Sequence, residues 1–278
     1  IGAYEPIYIA GYVIDKFTFD DIIFNVGIRV DRFDANQPVP DDPYVIGEAY
    51  RVGDVSGQLI GDLDPNYVVP ENIGDDYAVY VDAYDNPTSV VGFRDGDTWF
   101  NAAGTEIQDP DILAVNEVYP APWLQTDPDA PLTSNAFRDY EPQVNIMPRV
   151  SFSFNISDEA VFFAHYDILT QRPTSSIRFS PIDYLFIRNR DALIANPNLR
   201  PEKTVDYSIG FQQVLSKTSS LKLEAFYKEL RDMIQVRNFT GAFPRPYRAF
   251  GNLDFGTVKG LTVAYDLRRT GNIRMNAN

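Results

Sequence analysis

Apolar and polar residues alternate along much of this chain with a period of two. Ile22, Phe24, Val26, Ile28 and Val30 share one face of a segment whose other face carries Asn25, Gly27 and Arg29, Ile23 being the exception. Ser151 to Ile156 alternates without an error, and so do Val205, Tyr207, Ile209 and Phe211 against Asp206, Ser208, Gly210 and Gln212. The same holds from Leu221 to Lys228, from Leu261 to Arg268 and from Asn272 to Ala277. Strict alternation predicts a sheet with one apolar and one polar face. Eight strands are expected, near 5–14, 21–32, 148–157, 159–168, 202–215, 219–230, 255–268 and 271–278.

The connections fall into two classes. Asp15-Lys16, Ser157-Asp158-Glu159, Ser216-Lys217-Thr218 and Arg269-Thr270-Gly271 read as tight polar turns, whereas 33–147, 169–200 and 230–252 are long. Short and long alternate along the chain, as in an all-β, antiparallel transmembrane barrel with short turns at one end and long loops at the other. A soluble sandwich or barrel also alternates. The membrane reading is favoured by strands near ten residues, against a usual mode of about five or six. It is favoured too by the polar face, where Arg29, Asp206, Lys222, Glu224, Asp266, Arg268 and Arg274 suit a wet interior. Tyr12, Phe152, Tyr166, Tyr207, Tyr227 and Tyr265 are expected on the apolar face as an interfacial aromatic girdle. No run of apolar residues exceeds five, far below the roughly 20 a transmembrane helix needs.

Charge sharpens the division. The 278 residues hold 39 Asp+Glu and 24 Lys+Arg, a formal net charge of −15. Residues 33–147 hold 22 acids and 3 bases (Arg51, Arg94, Arg138), a balance of −19; the remainder, with 17 acids and 21 bases, is +4. Twelve of the 20 prolines lie in that acidic segment. The expected organisation is barrel strands over 1–32, a long acidic external loop insertion over 33–147, and barrel strands over 148–278 with external loops 169–200 and 230–252. Such acidity argues against nucleic-acid binding, which rests on clustered Lys and Arg. The absence of Cys excludes disulfides and thiolate chemistry, and His165 alone is available to any Ser-His-Asp triad.

Candidate site residues are few. Asp62, Asp64 and Asn66, and again Asp95 and Asp97, alternate oxygen ligands as a Ca2+ loop does, without the full twelve-residue pattern; a solvated acidic turn is the competing reading. No other cofactor is expected. Trp99, Trp123, Tyr140 and Tyr184 lie in long connections, where aromatic rings either stack on substrate or cap a local core. Arg178, Arg188 and Arg190 could face an anionic substrate or balance the acidic segment. His165 falls on the polar face, where packing or a hydrogen bond is favoured over catalysis.

From Asn196 onward the residues resemble a known family. Asn196-Pro-Asn-Leu-Arg-Pro-Glu-Lys-Thr204 followed by Val205 to Phe211 is similar to the late-barrel signature of TonB-dependent outer-membrane receptors. Phe226 to Ile234 resembles the next strand of that family, and Asn252 to Leu261 its N-x-x-x-G-x-V-K-G motif. Gly27 to Phe33 and Met147 to Ser151 fit more loosely. Asp266 to Asn272 is similar to the large Bacteroidetes-type receptors that begin with a carboxypeptidase-regulatory-like domain. The strong matches cover about 75 residues. The resemblance implies part of a barrel of about 22 strands around a plug, set in the bacterial outer membrane. No plug, TonB box or signal sequence is visible, so the chain is expected to be the middle-to-late part of a larger polypeptide. The implied activity is energy-coupled import with no chemical step. The implied partners are the TonB-ExbB-ExbD complex, a surface-exposed lipoprotein, and the lipid bilayer with its lipopolysaccharide. A passive porin, an outer-membrane scaffold for a lipoprotein or secretion partner, and a secreted soluble glycan-binding β protein are the alternatives.

Overall fold

The computed structural model describes residues 5–55, 58–114, 119–131, 133–173, 183, 187–189 and 193–277. The alternating segments form long antiparallel strands joined in a meander. β1 (Ile7–Phe19) and β2 (Ile22–Asp34) open it. Within the acidic segment lie β3 (Pro38–Pro40), α1 (Val52–Val55), α2 (Gln58–Leu63), β4 (Ala78–Val81), β5 (Val90–Asp95), β6 (Thr98–Asn101), β7 (Glu106–Ile107), β8 (Ala121–Pro122) and β9 (Phe137–Asp139). The meander resumes with β10 (Gln143–Ser157) and β11 (Ala160–Gln171). After the short β12 (Leu193–Ile194) it ends with β13 (Glu202–Ser216), β14 (Ser219–Phe239), β15 (Tyr247–Thr270) and β16 (Ile273–Ala277).

The main sheet runs β1-β2-β10-β11-β13-β14-β15, with β16 and the short parallel β12 both on β15. Its register places Phe17, Phe24, Phe152, Ala164, Ile209, Ala225 and Leu261 in one row across seven strands. No second sheet covers this face among the described residues. Ile209 is 56% exposed, Val263 48% and Leu261 71%, and the Phe152 ring meets Phe24 at 5.0 Å in its own row and Phe162 at 6.1 Å in the next. Isolated exposed apolar side chains are ordinary, but contiguous rows of them call for a non-aqueous neighbour. Ile22 to Val30 spans about 27 Å at roughly 3.4 Å per residue. Tilted by about 40°, that gives about 20 Å across a bilayer, close to the apolar band of roughly 25 Å on outer-membrane barrels.

Three expectations need correcting. The first turn is Asp20-Asp21, with Asp20 at φ +48°, and Asp15 and Lys16 pair within the sheet with Val26 and Asn25. An Asp tolerates the left-handed region through local hydrogen bonding, so the hairpin closes there and β1 gains five residues over its expected end. Tyr12 pairs with Arg29 and therefore belongs to the polar face, outside the aromatic girdle. Finally, most of 230–252 is strand: β14 and β15 pair out to Phe239 and Tyr247, leaving 240–246 as the connection. A bulge between Leu230 and Ile234, with Asp232 at φ +56°, separates the bilayer-length half of this ribbon from a projecting half. The other tight turns, at 158–159, 217–218 and 271–272, lie where expected.

Candidate functional site: the polar sheet face and the loop domain

On the polar face, neighbouring strands hold one another through side chains. Arg149 meets Asp167 at 2.9 Å and Lys228 meets Asp206 at 2.7 Å across strands, while Lys222 meets Glu224 at 2.6 Å along β14. Ser208 donates its proton to Glu224 at 3.1 Å, which makes Nδ1 of His165 the donor in the 2.8 Å contact between them. His165, Ser208 and Asp206 are the residue types of a hydrolytic triad, but the geometry is not one. Ser208 is buried, its proton is committed to Glu224, and His165 Nε2 stands 3.9 Å from Asp206, beyond hydrogen-bond reach. The group is a cross-strand ladder that keeps charge and hydrogen-bonding capacity on this face.

Aromatic residues also occur here, set over glycines. A Cβ at Gly210 would come within 2.1 Å of the Phe163 ring, and one at Gly260 within 2.6 Å of Phe226. The missing side chains let the rings lie against the neighbouring strand, which leaves the face open.

The described residues of 35–142 pack above the strand ends as a loop domain whose interior other segments also enter. A sheet ordered β7-β6-β5-β4-β8 separates two cores. On one side Val52, Val55, Ile60, Val79, Val90 and Phe93 pack with Trp123 at their margin. On the other, Tyr44, Ile46, Tyr80 and Trp99 meet Ile187, Ile194, Phe239 and Tyr247, so the acidic segment, the 172–201 connection and the projecting β14–β15 ribbon share one interior. A third small cluster joins Ala35, Val39 and Tyr140 to Phe33.

The three bases of the acidic segment all find partners within it, Arg94 in its interior and Arg138 at its surface. Arg94, 2% exposed, donates to Asp42 at 2.5 Å, Tyr80 at 3.1 Å and the Gly96 carbonyl at 2.6 Å, with its guanidinium 4.4 Å from the Tyr44 ring centroid. Burial opposes its charge, but Tyr80 and Asp42 outweigh that and hold it more firmly protonated than usual. Arg51 reaches the Asp76 carbonyl at 2.9 Å and Asp42 at 3.7 Å, and Arg138 pairs with Glu141 at 3.1 Å. A further clamp crosses to the sheet: Arg237 of β14 takes both carboxylate oxygens of Asp97 and donates to the Tyr44 hydroxyl at 2.6 Å. Burial pushes the Tyr67 and Tyr84 phenols up to about 12, Asp64 adding to the first.

The structure places the expected site residues as follows. Trp99 (4% exposed) and Tyr140 are interior side chains, and Trp123 is half-buried against Tyr50 at 5.1 Å. They pack the loop domain and present no open ring. Arg188 donates to the carbonyls of Pro128 and Ala130 and lies 3.8 Å from Asp129, so it is tied to the acidic segment. Asp62 lies in the last turn of α2, while Asp64 accepts from the Asn66 amide at 3.0 Å in a turn of its own. Asp95-Gly-Asp97 is the β5–β6 hairpin, with Gly96 at φ +53°. Arg178, Tyr184 and Arg190 lie outside the described residues. Among the described residues no three His, Cys, Asp or Glu side chains converge as a metal site would require, and no helix is long and apolar enough to cross a membrane.

The Asn196–Thr204 motif has a structural role that its residue types alone did not reveal. Glu202 accepts from the Ile234 amide at 2.9 Å, at the bulge. Arg200 pairs with Asp232 at 2.6 Å, and Asn252 bridges the carbonyls of Arg200 and Asp232 at 2.9 and 2.7 Å. The motif thus pins the incoming connection to the ribbon at the level where the loop domain begins.

The family model "TonB dependent receptor-like, beta-barrel" matches residues 4–278. No curated protein matches in sequence. Similar solved structures include a double mutant of the Serratia marcescens hemophore receptor HasR in complex with its hemophore HasA and heme, 12% identical, TM-score 0.46, covering 94% of this chain and 32% of that one. The apoprotein form of the FrpB iron transporter from Neisseria meningitidis is 11% identical, TM-score 0.44, with coverage of 96% and 24%. The ferric-catecholate import receptor Fiu from E. coli K12 is 12% identical, TM-score 0.42, with coverage of 96% and 26%. The chain spans between about a quarter and a third of the length of these structures.

Proposed function

The chain belongs to the TonB-dependent receptor-like β-barrel family, and from that premise we propose that it forms part of the barrel wall and the external recognition loops of an energy-coupled importer. The family consists of bacterial outer-membrane transporters, not enzymes. In this reading the apolar face meets lipid, the polar ladder faces a water-bearing lumen, and the acidic loop domain stands outside the cell to receive substrate. TonB, drawing on ExbB and ExbD, would displace a plug to open the path. The residues between Asp266 and Asn272 support a Bacteroidetes-type receptor within the family. One observation carries the reading: a seven-strand apolar face that no described residue covers, backed by a face of paired charges. Water cannot stabilise the first, nor hydrocarbon the second.

The test exploits the lack of Cys in the chain. Single cysteines at Val68, exposed in the loop domain, and at Lys217, in a tight turn, are placed in the full-length protein, any cysteine outside this chain being replaced by serine, and treated on intact cells with a membrane-impermeant maleimide. Val68→Cys should label at once and Lys217→Cys only after permeabilisation; equal labelling rejects the topology. Planar-bilayer conductance of the purified full-length protein then separates the rivals, since a plugged importer is closed at rest and a porin conducts.

A further inference from the structure

The apolar face is not uniform. Between Phe152 and Tyr227 it sinks into an open depression of about 470 Å3, because Ala164 and Ala225 place methyl groups where their row neighbours Phe152 and Ile209 carry large side chains. Along the loop-side margin of the depression stand Tyr166, Tyr207 and Tyr227, adjacent in register, with ring centroids 5.1 and 6.1 Å apart. Four residues farther along the same face, Lys203 and Arg231 sit directly opposite each other. Arg231 is held by Glu229 at 2.6 Å, whereas Lys203 forms no ion pair among the described residues. Glu229 offsets Arg231, so Lys203 crowns a column of hydrocarbon hollow and aromatic belt with a positive charge, and Lys259, opposite Tyr227 on the next strand, adds a second beside the belt.

We propose that this column is a binding site for a phosphate-bearing lipid of the outer leaflet, one acyl chain seated over Ala164 and Ala225 and the phosphate on Lys203 and Arg231. The proposal rests on the membrane orientation above. From Ile209 to Lys203 is six residues, about 20 Å along the strand at roughly 3.3 Å per residue. Tilted, this is about the reach from the acyl region to a headgroup, with tyrosines at the interface between, where amphipathic rings are favoured. A zwitterionic lipid fills the hollow equally well but returns its own positive charge to the Lys203 site, so the occupant is anionic.

The test is native mass spectrometry of the full-length protein, delipidated in detergent and offered equimolar phosphatidylglycerol and phosphatidylcholine of identical chains. Wild type should retain phosphatidylglycerol preferentially. Lys203→Ala should lower that preference about fivefold, the scale of one basic side chain near an anionic surface, and Lys203→Arg should preserve it. Ala225→Leu, which fills the hollow while remaining apolar toward the bilayer, should lower retention of both lipids, and inorganic phosphate should not compete. Equal retention of the two lipids by wild type, or a preference indifferent to Lys203→Ala, overturns the site. The maleimide experiment reads the orientation independently, so a failure here with Val68 and Lys217 labelled as expected counts against the lipid site alone.

Discussion

Removing the Asp42 carboxylate is the most informative single perturbation of the loop domain. Asp42→Ala would leave the Arg94 guanidinium buried with no counter-charge, retaining only the Tyr80 hydroxyl, the Gly96 carbonyl and the Tyr44 ring. Breaking one side of a buried pair typically costs about 3–5 kcal/mol. Those surviving acceptors place this case near the lower figure. Opening of the domain should then become easier by about 3 kcal/mol, and amides that exchange through it should do so roughly 150-fold faster. The assay is hydrogen exchange on the full-length protein in a bilayer mimic. Peptides covering β4 and β5, whose strands carry Tyr80 and Arg94, should lose protection, while peptides within β10 and β11 should not change. The double variant Asp42→Leu with Arg94→Leu removes both charges and should be milder than Asp42→Ala, because two apolar side chains leave no unpaired ion. If exchange in β4 and β5 accelerates less than about fivefold, or if the double variant equals the sum of the singles, then the pair is not the hub described here.

The glycines beneath the polar-face rings give a second measurement: Gly210→Ala should displace the Phe163 ring and lower stability by about 1–2 kcal/mol, read as earlier loss of the heat-modifiable folded band. Phe163→Ala should abolish that penalty. The loop domain should also respond to alkali. Tyr67 and Tyr84 have folded-state pKa values raised to about 12 from the ordinary 10, so the folded domain holds these protons more tightly than the unfolded chain does. That stabilisation is complete below pH 10 and is lost as the pH climbs from 10 to 12. Absorbance at 295 nm should accordingly show late-ionising phenols, and exchange in the loop domain should accelerate across that interval; simple titration of every phenol near 10 would refute the burial argument.

Much of the architecture was legible in the linear pattern because alternation is a local property. A strand that puts Ile22, Phe24, Val26, Ile28 and Val30 on one side does so wherever it pairs, and each strand's polar residues go to the other side together. The tight turns at 158–159, 217–218 and 271–272 were similarly visible, being fixed by a few residues of turn chemistry. The acidity of 33–147 was visible as well, and so was the choice facing Arg188, whose contacts in the fold are with Pro128, Asp129 and Ala130 of the acidic segment. Where a hairpin closes is a weaker signal: Asp15-Lys16 and Asp20-Asp21 are both polar pairs, and only pairing with β2 selects the second, carrying Tyr12 to the face opposite the one expected.

Three-dimensional pairing alone decided the rest. Asp42 and Arg94 are 52 residues apart, and Asp97 and Arg237 are 140 apart. Nothing in the neighbourhood of either residue marks it as a partner, since a contact between distant segments depends on how the chain is folded back. The same is true of Trp99, whose indole is a core side chain only because Tyr44, 55 residues back in its own segment, and Phe239 and Tyr247 of the β14–β15 ribbon close around it. Sequence periodicity thus determined which side of each ribbon is greasy and which is charged. The tertiary fold decided that the loops share one interior above the strands, because closing long connections into a common core is a cooperative gain that no local stretch of residues can register.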